Sequence, residues 1–151
     1  MGRLWDKYTG TRYPGSGVRP LPAVEVRDAL LALNGPDVRF VVRNGTPEEG
    51  ADLVADCRVP EMDVTLRIRM RLVAAKREVR ALDERWEPSH ESGRQYSRGP
   101  GTAVYKQWDA KKGPDGRRAE TFRFDTREVK EPLRNTVLAA GWTWRGVVFG
   151  L

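Results

Sequence analysis

The chain has 151 residues, 39% of them hydrophobic and 32% charged, and its formal net charge is +6. This length suits a single domain with a substantial core, and no apolar run approaches the roughly 20 residues that a membrane-spanning helix needs. The one cysteine, Cys57, excludes an internal disulfide and a cysteine-based zinc site. The N-terminus has no apolar segment of the kind found in signal peptides, so we expect a cytoplasmic protein.

The excess of basic residues is compatible with several partners, namely an anionic surface, an acidic protein or a nucleic acid. The acidic residues are interspersed with the basic ones along the chain, and mixed charges are typical of ordinary soluble domains. A nucleic acid is weakly supported as a partner, because the sequence contains no fingerprint motif of a known nucleic-acid-binding module.

Residues 1–22 are predicted to form an extended arm, because glycines and prolines interrupt regular structure there. The aromatic side chains of this arm, Trp5, Tyr8 and Tyr13, are expected to fill shallow grooves of the domain. That domain is predicted to span residues 23–151.

A helix is predicted over 22–33, and four strands follow it over 38–43, 52–59, 63–73 and 78–87. The third strand has the most regular pattern in the chain, because an apolar residue occupies every second position from Val64 to Leu72. The fourth strand alternates less regularly, and we expect a bulge near Leu82.

The polar face of the third predicted strand carries a row of arginines, Arg67, Arg69 and Arg71. Such a row can bind an anionic ligand. The neighbouring strands present acidic residues, among them Asp56 and Glu84, and opposite charges on adjacent strands contribute roughly 0.2–1 kcal/mol per pair. Two interpretations therefore stay open, an anion-binding face and a salt-bridged sheet surface.

A loop is predicted over 88–102, which contains one aromatic and no aliphatic side chain. Loops of this length in compact domains are usually functional or disordered. If the loop closes over a cleft, Arg94, Tyr96 and Arg98 are its candidate ligand contacts. Its His90 is the only histidine of the chain, and it has no catalytic partner at a suitable spacing.

Residues 103–110 and 117–125 predict a hairpin, and the residues that connect them have turn chemistry. The densest positive patch of the sequence flanks this turn and consists of Lys111, Lys112, Arg117 and Arg118. A basic tip can contact phosphates, and it can equally be a soluble turn that resists edge-to-edge pairing.

A last helix is predicted after the capping residue Asp125, with its regular part beginning near Pro132. The chain then ends in an apolar strand that we expect to be buried on both faces. In that strand Trp142 and Trp144 should point the same way, and Gly146 should make room beyond them.

These elements predict an α+β fold, with an antiparallel meander of about seven strands and two helices. Residues 50–56, the segment Arg85-Trp86-Glu87 and the ending at 140–147 resemble a family of small uncharacterised bacterial proteins common in actinomycetes. That resemblance implies no activity. The order of the elements also resembles the tubby and scramblase-like folds, which implies closure into a barrel.

The leading functional hypothesis is a non-enzymatic binding module for an anionic ligand or a protein partner. One alternative is a subunit of a larger assembly that binds through the N-terminal arm and the C-terminal strand. Another is a small-ligand-binding barrel, or an enzyme without a recognisable motif. No phosphate loop, metal-ligand spacing or nucleophile motif is present, so the sequence predicts no catalytic residue, metal or cofactor.

Overall fold

The structure, a computed structural model, describes residues 2–151, and within that range it contains three α-helices and eight strands. The helices are α1 (Gly2–Thr9), α2 (Ala23–Leu31) and α3 (Arg127–Ala139). The strands are β1 (Phe40–Asn44), β2 (Leu53–Val59), β3 (Val64–Val73), β4 (Glu78–Pro88), β5 (Arg94–Arg98), β6 (Val104–Lys112), β7 (Arg118–Asp125) and β8 (Thr143–Val147). The predicted α+β class is confirmed.

Six strands form one open sheet. Its antiparallel order is β1-β2-β3-β4-β5, and β8 pairs with β4 in parallel. β4 is long enough to hold two partners along one edge, β8 over Glu78–Leu82 and β5 over Glu84–Pro88. Among residues 2–151, β6 and β7 pair only with each other. The sheet therefore does not close, and the expectation of a barrel is wrong.

The parallel pairing of β8 differs from the predicted all-antiparallel meander. Parallel strands need a long crossover connection, and the segment from β5 to α3 supplies one. Trp142 and Trp144 are buried as predicted, with 1% and 0% of their surfaces exposed. The indole Nε1 of Trp142 donates a hydrogen bond to the carbonyl of Leu21 at 2.8 Å, which ties the end of the chain to the segment before α2.

The core lies between one face of the sheet and helices α2 and α3. The alternation predicted for β3 is confirmed, because every second residue from Val64 to Met70 is buried against this core. The helices contribute fully buried aliphatic side chains, namely Val26 and Leu30 of α2 and Leu133 and Val137 of α3. β3 lies between β2 and β4, so its apolar side chains occupy the middle of the core.

The bulge expected near Leu82 is absent from β4, which pairs with β3 in an unbroken register from Trp86 to Glu78. Leu82 lies opposite Arg69 and beside Val147 of β8, and none of its surface is exposed. Two consecutive apolar residues, Ala81 and Leu82, are accommodated because both faces of β4 are covered at this point.

The N-terminal arm contains a helix, α1, which the sequence analysis did not predict. No glycine or proline lies between Arg3 and Thr9, and Gly10, with φ of +72°, follows the helix at its end. Trp5 is 53% exposed, and Tyr8 and Tyr13 are also exposed, so the expectation that these aromatics fill grooves is wrong. Beyond α1 the arm is extended.

The arm covers the outer edge of β8. Arg12 and Trp144 exchange two backbone hydrogen bonds of 2.8 and 2.9 Å. The carbonyl of Thr9 lies against Gly146, where a Cβ atom would be only 1.7 Å from the oxygen. The predicted role of Gly146, to make room, is confirmed, and the atoms that it accommodates are those of the arm.

Two further boundaries differ from the prediction. The segment 88–102, predicted as a loop, contains the strand β5, because its backbone pairs with the end of β4 although its side chains are polar. Helix α3 begins at Arg127, with Pro132 in its interior. No helix within residues 2–151 is long and apolar enough to cross a membrane.

Candidate functional site

The arginine row of β3 lies on the face of the sheet opposite the core, where carboxylates from neighbouring strands pair with most of it. Arg67 donates from Nε to Asp56 at 2.9 Å and stands over the ring of Trp86. Arg69 donates from Nε to Glu84 at 2.8 Å. These contacts favour the salt-bridged interpretation over an anion-binding face for Arg67 and Arg69.

Glu49, in the turn before β2, connects this network. It accepts hydrogen bonds from both terminal nitrogens of Arg43, at 2.9 and 2.7 Å, and lies 3.4 Å from Nη1 of Arg67. It also accepts from the backbone N–H of Thr46 at 2.9 Å. The Arg43 hydrogen bonds and the Thr46 contacts outweigh the effect of burial and lower the pKa of Glu49 to about 2.

Arg71 is placed differently from the other two arginines of the row. It is exposed, and Nη1 donates to the carbonyl of Leu151 at 3.2 Å. It lies opposite Arg80, which lies opposite Arg145 of β8. Glu78 contacts two of these arginines, with Oε2 at 3.2 Å from Nε of Arg80 and 2.8 Å from Nε of Arg145, and Asp6 lies 3.9 Å from Nη1 of Arg145.

The two candidate arginines of the 88–102 segment lie at opposite ends of β5. Arg94 forms an ion pair with Asp63 and also donates to the carbonyl of Trp86 at 3.3 Å. Arg98 stands over the ring of Phe149, 5.7 Å from its centroid, and lines a cavity beneath α3. Tyr96 donates its hydroxyl to Glu84 at 2.6 Å.

The remaining four predicted site residues lie at the tip of a two-stranded ribbon, which we define as β6, β7 and the turn between them. Its base is fixed to the body of the protein. Phe124 is buried, the hydroxyl of Tyr105 donates to Glu87 at 2.6 Å, and Thr126 and Ala103 exchange hydrogen bonds of 3.0 Å. Burial and the hydrogen bond to Glu87 raise the pKa of Tyr105.

Beyond Gln107 the ribbon projects away from the body. From Trp108 to Lys112 every residue of β6 is exposed, on both faces of the ribbon. At about 3.3 Å per residue this stretch extends roughly 15 Å. The turn is closed by hydrogen bonds from the N–H of Gly113 to Arg117 at 2.6 Å and from the N–H of Gly116 to Gly113 at 2.9 Å.

Cations face one another across the ribbon. Lys106 lies opposite Arg123, and Lys112 lies opposite Arg118. Within the described part of the chain, no carboxylate lies within 4.0 Å of the amino group of Lys106, Lys111 or Lys112 or the guanidinium of Arg117 or Arg118. Arg123 has only a 4.0 Å contact with Glu120.

An exposed aromatic side chain accompanies these cations. Trp108 is 52% exposed, and the ammonium of Lys106 lies 5.8 Å from the centroid of its ring. Trp108 is not identifiable as a site residue from the sequence, because an aromatic residue in a predicted strand is typical of a core position. Only the projection of the ribbon away from the core leaves it in solvent.

Three charged residues that face the core side were also missed, Asp83 and Arg85 of β4 and Lys130 of α3. The sequence contains a signal for Asp83 and Arg85, because they continue the every-second-residue pattern that places Val79 and Ala81 on the core side of β4. Residues 2–151 contain no group of three or more His, Cys, Asp or Glu side chains arranged to hold a metal ion.

No family model, no curated protein and no solved structure matches this chain. The resemblance to small actinomycete proteins therefore stays a prediction.

Proposed function

We propose that this protein is a non-enzymatic binding module whose ligand is the phosphate backbone of a nucleic acid, bound by the β6–β7 ribbon. The observation that carries the proposal is the pairing of cation with cation across the ribbon, Lys106 with Arg123 and Lys112 with Arg118. A cytoplasmic location suits this function and stays a prediction.

Like charges directly opposite each other destabilise a pair of strands. In the six-stranded sheet, Asp56, Glu49 and Glu84 neutralise Arg43, Arg67 and Arg69. Where Arg80 lies between Arg71 and Arg145, the carboxylate of Glu78 contacts two of the three arginines. The ribbon leaves Lys106, Lys112 and Arg118 without such partners, although Asp109, Asp115 and Glu120 lie in the same segment. An anionic ligand that neutralises both strands would remove the repulsion.

The shape of the ribbon supports the same class of ligand. A two-stranded ribbon fits the major groove of duplex DNA, which is about 12 Å wide, and lysine and arginine side chains are common contacts to phosphate oxygens. The exposed ring of Trp108 offers a stacking surface for an unpaired base, an interaction of about 1–3 kcal/mol per base. Single-stranded and duplex ligands are therefore both to be tested.

The test measures fluorescence anisotropy of labelled 20-nucleotide single-stranded and duplex DNA and RNA at several salt concentrations. We expect the logarithm of the binding constant to fall linearly with the logarithm of salt concentration. Replacing Lys111 and Lys112 with serine should weaken binding and reduce the slope by about one for each phosphate contact that is lost.

The matched control is the double variant Arg58→Ser with Lys76→Ser, which removes the same charge from two exposed positions outside the ribbon. It should bind as the wild type does. An equal loss of affinity in the control and in the tip variant would mean diffuse attraction by net charge, and would overturn the proposal. Binding to vesicles of phosphatidylserine but not to nucleic acid would overturn it in favour of a membrane surface.

A second candidate, a subunit of a larger assembly, is favoured by the apolar face of α1. Leu4 is 87% exposed and lies beside the exposed Trp5. The edge of β8 is already occupied by the arm through Arg12, so a partner would bind through α1 rather than through the C-terminal strand. Light scattering tests this candidate, since Trp5→Ser should convert any oligomer to a monomer.

A further inference from the structure

A cavity of about 360 Å³ lies between the second half of β4, β5 and the first turns of α3. It exists because β4 changes its partner at Asp83. β8 pairs with β4 up to Leu82, and β5 pairs with it from Glu84 onward. The volume is at the lower end of the range of small-molecule sites, roughly 300–1,000 Å³.

The part of β4 that lines this cavity carries charges on its core side. Val79 and Ala81 are buried in the core, and the next two residues on the same face are Asp83 and Arg85. Removing charged groups from water is costly unless each is paired and hydrogen-bonded. The way these charges are satisfied therefore indicates what the cavity can bind.

Lys130 of α3 extends its ammonium into the cavity wall and is only 7% exposed. Its Nζ donates to Oδ2 of Asp83 at 2.9 Å and to the carbonyl of Pro100 at 3.3 Å. An ammonium group has three donors, and the third has no acceptor among residues 2–151. Burial raises the pKa of Asp83, and the charge of Lys130 opposes that shift.

Arg85 is also incompletely satisfied. Its Nε is buried and has no hydrogen-bond partner in the described part of the chain. Oε1 of Glu87 lies 3.6 Å from this Nε, an ion-pair contact that is too long for a hydrogen bond, and Oε2 accepts the hydroxyl of Tyr105 at 2.6 Å. Arg98, at the end of β5, forms a cation–π contact with Phe149 and no ion pair within residues 2–151.

We propose that this cavity binds a small molecule that has one anionic group, a carboxylate or a phosphate, on an apolar body. The anionic group accepts hydrogen bonds from Arg85 and Lys130, and Arg98 adds a positive charge to the site. The apolar body lies against the side chains of Leu66, Ile68 and Val129, which also line the cavity.

The proposal is tested by ¹H–¹⁵N NMR titration of the full chain with hexanoate, benzoate and phenyl phosphate, and with benzamide and hexanol as uncharged analogues. We expect the anions to shift the backbone N–H resonances of residues 97–99, 101 and 129–130, and the uncharged analogues to bind at least tenfold more weakly. A hydrogen bond to a charged group accounts for about this factor.

Arg85→Gln and Arg98→Gln should each weaken binding of the anions about tenfold, and the control Arg58→Gln should not. Arg98 is exposed, so its variant tests the site even if Arg85→Gln fails to fold. Equal binding of charged and uncharged probes, no shift with any probe, or unchanged affinity in Arg98→Gln would each overturn the proposal.

This site and the ribbon are tested independently. Lys111→Ser with Lys112→Ser should bind the small anions as the wild type does, and Arg98→Gln should bind nucleic acid as the wild type does. A small anion that displaces nucleic acid would mean one shared site and would overturn the assignment of a separate cavity ligand.

Discussion

At the residue scale, one carboxylate organises the charged face of the sheet. Glu49 lies in a turn, yet it accepts a bidentate pair of hydrogen bonds from Arg43 and a further hydrogen bond from the backbone N–H of Thr46. Bidentate arginine–carboxylate pairs are stronger than single contacts and fix the geometry of both partners. Through Arg67, which Asp56 also holds, Glu49 links the turn to β3.

This arrangement predicts a defined dependence of stability on pH. The pKa of Glu49 is lowered from 4.5 to about 2 in the folded protein, so its contribution is complete above pH 4.5 and is lost as the pH falls towards 2. Glu49→Gln should lower the free energy of unfolding by about 1–2 kcal/mol at neutral pH, measured by urea denaturation. The difference from the wild type should shrink between pH 4.5 and pH 2.5.

Glu48→Gln is the control, because Glu48 is the exposed neighbour of Glu49. Its effect on the free energy of unfolding should be within about 0.5 kcal/mol of zero. A Glu49→Gln deficit that stays constant across the acid range would contradict the assignment of this ionised carboxylate to the network.

At the element scale, the ribbon and the six-stranded sheet differ in how far acidic side chains pair with their cations. In the sheet, β2 and β4 present acids to Arg67 and Arg69 of β3. In the ribbon, Lys112 faces Arg118 next to the turn. Sequence composition alone does not distinguish the two, because both segments contain basic and acidic residues. The cross-strand register decides which charges meet.

The Lys112–Arg118 pair predicts that stability and binding change in opposite directions. Lys112→Glu places opposite charges across the strands and should stabilise the ribbon by about 0.2–1 kcal/mol. Amide hydrogen exchange at Gly113, whose N–H bonds to Arg117, measures this as slower exchange. The same change should weaken nucleic-acid binding, because it replaces a cation with an anion.

The double variant Lys112→Glu with Arg118→Glu is the matched control. It places two negative charges opposite each other, so the amide of Gly113 should exchange faster than in the Lys112→Glu single variant. If Lys112→Glu exchanges as fast as the wild type, repulsion across the ribbon is not a feature of the free protein, and the proposed function loses its main support.

At the scale of the whole molecule, the two ends of the chain are joined at the edge of the sheet. The arm pairs with β8 through Arg12 and Trp144, and the N–H of Gly146 donates to the hydroxyl of Thr11 at 3.1 Å. β8 in turn pairs with β4, the strand with three strand partners. The arm is therefore part of the folded unit rather than an appendage.

Gly146→Ala tests this docking. The added Cβ would lie 1.7 Å from the carbonyl oxygen of Thr9, so the arm or β8 must move, and overpacking of this kind costs typically about 1–3 kcal/mol. Urea denaturation should show a lower free energy of unfolding, and limited proteolysis should cut the arm faster than in the wild type. Gly35→Ala is the control, because a Cβ there meets nothing within 4 Å. Equal stability of the two variants would contradict a docked arm.

Some features of this protein follow from the sequence alone. The bounds of β3 were predicted to within one residue. The hairpin of β6 and β7 and the burial of Trp142 and Trp144 were also predicted, because alternation, turn residues and apolar runs are local properties of the chain. The helix α1 and the strand β5 were missed. No Ser, Thr, Asp or Asn precedes α1 in the sequence to mark its start. β5 is polar and is stabilised by its pairing with β4.

The tertiary structure alone decided the rest. It determined that β8 lies parallel to β4, that Trp108 projects into solvent, and that Lys130 reaches Asp83 in a cavity where β4 changes its partner. Each of these depends on segments distant in sequence coming together. Local patterns specify which face of a strand is apolar. Whether a charged side chain meets a partner of opposite charge depends on the register between strands.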